Sequence, residues 1–274
     1  MKNYKIIACD LDGTLLNNAS QISDENIAAI NELDKRGVFF VPCSGRTISE
    51  IPKNIRELDS VRYIIHSNGS SIFDKVSGKQ ISISIPKELN LEIFDLFRSC
   101  EAHVCFRSNG SCFVDAHSQS DEHNEYYNVC HDHCVIVREF AVYEDDLRAA
   151  VCAADDIEVF SIFFHDLKEK QRCKEYLSRY KDLLRFTEVT EYNLEIFNID
   201  AGKGNALYKL ADMIGVPYSQ TMSIGDSDND RTVTEAAGLG LAVANASDSL
   251  KSIADEIICS NEEHVIDYVL KKYF

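Results

Sequence analysis

Two carboxylates stand two residues apart where an apolar run ends: Tyr4 to Cys9 leads directly into Asp10-Leu11-Asp12-Gly13-Thr14. A second acidic set, Gly225-Asp226-Ser227-Asp228-Asn229-Asp230, lies far along the chain, with Ser44-Gly45-Arg46 and Gly202-Lys203-Gly204 in between. An acidic pair, a hydroxyl, a lysine and more carboxylates make a set that can hold a divalent metal and a phosphate. Phosphoryl transfer asks for in-line attack and neutralised oxygens more than for difficult bond chemistry. A carboxylate can attack phosphorus itself and split one displacement into two easier ones. Asp10, at the strand end, is placed to attack. Asp12, close by, is placed to protonate a leaving alkoxide and later deprotonate a water. Lys203 offers a compact point charge near a helix start, where anions are favoured. Taken singly, DxDG could be a solvated turn or a calcium loop, and Gly-Lys-Gly a solvated loop; the EF-hand spacing of Gly and Glu is missing after GDSDND.

The elements that must hold these residues follow from apolar patterning. Tyr4–Cys9 reads as a strand buried on both faces. Ser23 is an N-cap for a helix running to Gly37. Val38–Cys43 is a second strand, followed by a helix over Ser49–Leu58 and a strand over Tyr63–His66 that ends in Ser67-Asn68-Gly69. This alternation predicts an α/β fold, a doubly wound parallel sheet with helices on both faces. After about residue 84 the rhythm changes. Helices are expected over 86–99, 143–154 and 168–181, and strands over 103–106, 112–116, 158–164 and 185–189, as in an α+β insertion with an antiparallel sheet. The doubly wound rhythm returns with strands at 194–199, 221–224, 239–243 and 256–259, a helix at 203–214 and a shorter one near 249–255. The expected division is a split core of residues 1–83 and 188–274 carrying a cap of residues 84–187. Ligands of such sheets bind beyond the carboxyl ends of the strands, where the residues above fall.

The chain has 274 residues, a formal net charge of -17 and ten cysteines. That charge argues against nucleic acid as the main partner. No apolar run approaches a membrane span or a signal peptide. Cys9 and Cys43 lie in buried strands, where thiols serve as small hydrophobes, so a reducing cytoplasm is expected; the pattern shows no obvious exposed apolar patch, so a monomer is expected.

DLDGTLL, SGR, a lysine opening a helix and GDSDND, in that order, resemble the haloacid dehalogenase-like superfamily. SNG before the insertion and GKGNAL after it resemble its Cof-type phosphatase branch, with a C2-type cap between the second and third motifs. The resemblance implies a Rossmann-like core and a Mg²⁺-dependent phosphatase that forms an aspartyl-phosphate. It implies Asp10 as nucleophile, Asp12 as general acid and base, Ser44 as the hydroxyl bonded to the phosphoryl group and Lys203 as the cation beside it. Metal ligands would be Asp10, the Asp12 carbonyl and Asp226, with Asp230 orienting a metal-bound water or pairing with Lys203. Few protein ligands suffice, because Mg²⁺ keeps several of its waters. Asn229 would sit near the phosphate, and Asp228 falls at a variable, solvated position. The chain departs from the pattern at Arg231-Thr232-Val233-Thr234, where relatives commonly carry an apolar segment.

Substrate contacts are less determined. Gly45 and Arg46 follow Ser44, and Arg46 either forks onto a phosphate or sugar hydroxyl or caps the loop. Asn68 either lines the pocket floor or supports its turn. The substrate class is a small phosphorylated metabolite: a sugar phosphate, a phosphorylated cofactor or a nucleotide. The alternatives are a sugar phosphomutase and a non-catalytic phospho-ligand binding protein. In the cap, Cys130-His131-Asp132-His133-Cys134, with His117 and His123 upstream, lacks the paired spacing of a zinc site, so an ordinary cap segment is expected there.

Overall fold

The computed structural model describes residues 3–188 and 190–274, and the side chain of Asp132 is not among the described parts. In chain order its elements are β1 (Ile6–Cys9), α1 (Asp24–Lys35), β2 (Phe39–Pro42), α2 (Lys53–Arg56), β3 (Tyr63–His66), β4 (Ser71–Asp74) and β5 (Lys79–Ser82). Next come α3 (Lys87–Ser99), β6 (His103–Ser108), β7 (Ser111–Asp115), α4 (Asp121–Tyr126), α5 (His131–Phe140), β8 (Val142–Glu144) and α6 (Leu147–Ala153). They are followed by β9 (Val159–Phe163), α7 (Leu167–Leu177), β10 (Leu184–Thr187) and β11 (Asn193–Asn198). The chain finishes with α8 (Lys203–Ile214), β12 (Thr221–Gly225), α9 (Arg231–Ala236), β13 (Gly240–Ala242), α10 (Asp248–Lys251), β14 (Glu256–Ile257) and α11 (Val265–Tyr273). Among the described residues, no helix is long and apolar enough to cross a membrane.

Two compact units result. The first comprises Met1–Arg46, Ile51–Ile81 and Gly202–Phe274; the second comprises Thr47–Glu50 and Ser82–Ala201. In the first, a parallel sheet runs in the order β14-β13-β12-β1-β2. β1 is an interior strand, paired on both edges, and buried along its whole length, the pattern of a strand covered on both faces. Ile6, Ala8 and Val41 pack against Leu207 and Leu210 of α8 and Val233 of α9. Ser23 caps α1 as expected, its Oγ accepting from the Asn26 N–H at 3.2 Å.

Three local expectations are corrected. β3 does not extend the parallel sheet in full: it leads an antiparallel sheet β3-β4-β5 and touches the parallel one through a single bridge, Cys43 to Ile65. The helix expected over 49–58 is reduced to a 3-10 turn at Ile48–Glu50 and one turn of α2. Pro52 lies between them; it lacks an N–H and disfavours helical backbone in the residue before it. The helix expected to start at 143 begins at Leu147, because Val142–Glu144 pairs with β7 as β8.

The second unit has a sheet in the order β10-β11-β9-β6-β7-β8, antiparallel except for the β7–β8 pair. One face carries Val104, Phe106, Phe160, Ile162 and Ile196 into an apolar core with Ile93 and Phe97 of α3, Val151 of α6 and Leu177 of α7. β11 belongs here, between β9 and β10, and not to the first unit as its apolar pattern had suggested. The boundary expected at 188 therefore falls at Gly202, and the one expected at 84 falls at Ser82. A short apolar strand reads the same in either sheet, so its pairing partners decide. Of the strand expected over 185–189, Val189 lies outside the described residues.

Candidate active site

Hydrogen bonds on both edges of β1 fix where the first acidic pair emerges. The Asp10 N–H donates to the Ile224 carbonyl at 2.9 Å, and the Cys43 N–H donates to the Cys9 carbonyl at 2.8 Å. Asp10 is extended (φ -65°, ψ 161°), after which Leu11–Leu15 coils into one wide turn. Gly13 turns this loop in the left-handed region, φ 75°. A Cβ there would lie 2.7 Å from Asp226 Oδ2, so strain and space both call for glycine.

Lys203, at the first position of α8, is fully buried, and its ammonium bridges two carboxylates. Nζ donates to Asp10 Oδ1 at 2.6 Å and to Asp230 Oδ1 at 2.5 Å. The second oxygen of Asp230 accepts from the Asp226 and Ser227 N–H groups at 3.0 and 3.3 Å. Both oxygens of Asp230 are thus engaged, which makes it the residue that orients Lys203. The start of α8 lies hard against the Ser67–Gly69 turn: Gly69 has φ 82°, and a Cβ on it would come 2.3 Å from the Gly202 carbonyl carbon.

Carboxylate oxygens of Asp10, Asp226 and Asp230 lie within 4.8 Å of one another. Three carboxylates against one ammonium leave two negative charges when all are ionised. The strain shows in the acidities. Burial pushes Asp10 well above the usual carboxylate range; Lys203 opposes that, while Asp230 and Asp226 add to it. Burial and Asp230 push Asp226 up to about 6. Burial pulls Lys203 down, but Asp10 and Asp230 more than reverse this, so it stays charged. A dication would cancel the excess, and an all-oxygen donor set suits a hard ion such as Mg²⁺.

The remaining predicted residues divide. Arg46 does not stand open toward a ligand: its Nε and Nη2 grip both oxygens of Asp12 at 2.8 and 2.7 Å, holding that carboxylate in a bidentate fork. Ser44 is buried, and its Oγ accepts from the Arg46 N–H at 3.2 Å. Gly45 packs closely enough that a Cβ would meet Asn68 Oδ1 at 2.8 Å. Asn68 itself is left-handed (φ 55°), and its N–H donates to the Ser44 carbonyl at 3.1 Å, a turn-supporting role. Asn229 is exposed, with its Oδ1 accepting from the Ser227 hydroxyl at 2.8 Å. Asp228 receives the Ser247 hydroxyl at 3.3 Å. Arg231 pairs with Glu235 at 3.0 Å along α9.

Three residues went unread in the sequence. Thr14 donates to Asp226 Oδ1 at 3.1 Å, Asn245 Nδ2 donates to the Gly13 carbonyl at 2.7 Å, and the Ser247 N–H donates to the Asp226 carbonyl at 2.7 Å. The signal was Asn245-Ala246-Ser247, another polar group just beyond a strand end.

This fold and this set of carboxylates around a lysine define a haloacid dehalogenase-like hydrolase. The family model of that description matches residues 7–270, and the chain belongs to the family, in the Cof-type branch. It is similar to the Phosphatase YwpJ of Bacillus subtilis, with 27% identity over 97% of this chain and 99% of the relative. It is similar also to the 5-amino-6-(5-phospho-D-ribitylamino)uracil phosphatase YwtE of Bacillus subtilis, with 28% identity over 97% of this chain and 96% of the relative. A haloacid dehalogenase-like hydrolase from Bacteroides thetaiotaomicron shares the fold, with a TM-score of 0.83 and 22% identity over 99% of this chain and 100% of that one. The protein is accordingly an enzyme of the phosphoric monoester hydrolase class.

Proposed function

We propose that this enzyme uses Mg²⁺ to hydrolyse the phosphomonoester of a small metabolite through an aspartyl-phosphate on Asp10. The observation that carries the reading is the buried Asp10–Lys203–Asp230 bridge beside Asp226, three carboxylates around one ammonium at the carboxyl end of an interior strand. A carboxylate oxygen of Asp10 attacks phosphorus in line as the bond to the leaving oxygen breaks, and Asp12 gives that oxygen its proton. Asp12 then takes a proton from water. The water oxygen attacks phosphorus, the Asp10–phosphorus bond breaks, and inorganic phosphate leaves. Arg46 positions Asp12, one of whose oxygens leaves the fork to carry the proton, and Lys203, held by Asp230, favours the charged form of Asp10 and orients it. The Ser44 hydroxyl, with Gly45 and Asn229, is assigned to the phosphoryl oxygens. Asp10, the Asp12 carbonyl and Asp226 would hold Mg²⁺, with Asp230 behind them. When bound, the ion supplies positive charge for the phosphoryl oxygens.

Selection of the substrate is assigned to the second unit. The substrate is placed among sugar phosphates, phosphorylated cofactors and nucleotides, and 5-amino-6-(5-phospho-D-ribitylamino)uracil, in the name of one relative, belongs in the first panel. The ten cysteines are free thiols, which supports a reducing, cytoplasmic setting. The deciding experiment is phosphate release from such a panel with Mg²⁺ or with EDTA. Release that needs Mg²⁺ and disappears in Asp10→Asn is expected; metal-independent release, or release surviving that substitution, overturns the mechanism.

A further inference from the structure

The second unit contains another cluster with metal-ligand chemistry, and nothing in the reaction above uses it. Alternation along β6 turns His103, Cys105 and Arg107 to the face opposite the apolar core. On that face Cys105, Cys112 and Val114 pack against Val137, which seats α5 over the sheet. One turn earlier on α5, His133 reaches down to the thiol: Cys105 Sγ and His133 Nε2 are 3.6 Å apart. Ligand atoms of His103, Cys105 and His133 all lie within 4.8 Å of one another. His103 and Cys105 are buried, and Phe163 lies against both imidazoles, its ring centroid 6.0 Å from His103 and 4.9 Å from His133.

We propose that His103, Cys105 and His133 form a binding site for a borderline-soft transition metal, with Zn²⁺ as its first candidate. The geometry is the main support. A tetrahedral zinc with ordinary Zn–S and Zn–N bonds holds its sulfur and nitrogen ligands about 3.5 Å apart; the Cys105–His133 pair stands at 3.6 Å, and the other two pairs lie within 4.8 Å. The donor set is the second support. Two imidazoles and a thiolate favour Zn²⁺ or its neighbours over Mg²⁺. The third is outer support for a ligand: His103 Nδ1 and His123 Nε2 lie 3.1 Å apart, a contact that fixes the His103 ring. Arg107, the nearby cation on the same face, is paired with Glu195 at 3.3 Å. A cavity of about 310 Å³, lined by His103 together with His123, Asp115 and Tyr127, opens beside one of the three ligands. Binding forms a sulfur–metal bond as the Cys105 S–H bond breaks, and the proton leaves to solvent.

The Cys130–Cys134 run plays a different part from the one its letters suggest. Cys130 is the N-cap of α5, and Cys134 Sγ turns to the Val129 carbonyl at 3.9 Å. Among the described side chains of that run, His133 alone joins the site, with two β6 residues that sequence spacing did not single out.

The test uses the full chain, stripped of metal and held in excess Mg²⁺. Titration with Co²⁺ is expected to give a thiolate-to-cobalt charge-transfer absorption at one equivalent. Zn²⁺ is expected to erase it by displacement. Cys105→Ser should abolish the band, His133→Ala should weaken Zn²⁺ binding at least tenfold, and Cys130→Ser should change neither. No thiolate band from the unaltered protein at saturating Co²⁺ overturns the proposal, whatever the variants do to folding. So does a band that survives Cys105→Ser or vanishes in Cys130→Ser.

Discussion

The two clusters with metal-ligand chemistry solve the problem of buried polar groups in opposite ways. In the first unit, carboxylates are crowded until their charges repel, and a lysine inserted among them cancels only part of the excess. Around β6 the groups are neutral instead: burial lowers His103 to about 4 and His133 to about 3. Charge stored against charge creates a standing demand for a dication and for phosphate chemistry. Neutrality stored by burial creates none, and a metal enters there only by displacing a thiol proton. Oxygen chemistry and soft-ligand chemistry are thus kept on different elements of one chain.

The sharpest way to break this contrast is at the charged end. Asp10→Asn is expected to lower phosphate release by at least about a thousandfold with the fold intact by circular dichroism, since the proposed nucleophile is gone. Lys203→Met leaves buried carboxylates without their cation. It should cost about 3–5 kcal/mol in urea unfolding and remove activity as well. Added Mg²⁺ should restore part of that stability by binding the folded state. In the unaltered enzyme, EDTA should cut turnover about a hundredfold or more, with full recovery on adding Mg²⁺.

Smaller effects separate positioning from stability. Arg46→Ala frees the Asp12 carboxylate and should lower kcat about ten- to a hundredfold. It should barely move the unfolding midpoint, because Asp12 is half exposed and such pairs are worth about 0–1 kcal/mol. The smallest effect belongs to the second unit. Glu188 accepts from Lys174 at 2.6 Å and pairs with Lys170 at 2.9 Å, and these bonds, the Lys174 one first, hold its carboxyl below the ordinary 4.5. A depressed carboxyl contributes stability above that value, and the contribution is lost as pH falls through the lowered one. Glu188→Gln should therefore destabilise by about 1 kcal/mol or less at pH 7. The difference from the unaltered protein should close below pH 4.5 in parallel urea melts.

Much of the first unit was legible because its chemistry sits at strand ends, where an apolar run stops at a polar residue. Asp10, Lys203, Asp226 and Asp230 meet as their motif order implied. What the sequence withheld was pairing. β11 carries Leu194 and Ile196 as any buried strand would, and only its ladder with β9 places it in the second unit. Arg46 could be assigned to a ligand or to the loop on equal grounds until its fork was seen on Asp12. The β6 cluster was hidden for the same reason. His103 and Cys105 share a face by alternation, but His133 reaches them only through the way α5 packs, which no local spacing encodes.

The interior place of β1 has a consequence in time. β2 follows it at once to cover one edge; its other edge waits for β12, and Asp10 waits for a lysine 193 positions later. During synthesis the proposed nucleophile therefore exists long before the groups that surround and orient it. Contacts of such separation are slow to close. Competence arrives only once Asp226 and Asp230 have left the ribosome, and a product truncated before them carries the first motif intact without the site that motif announces.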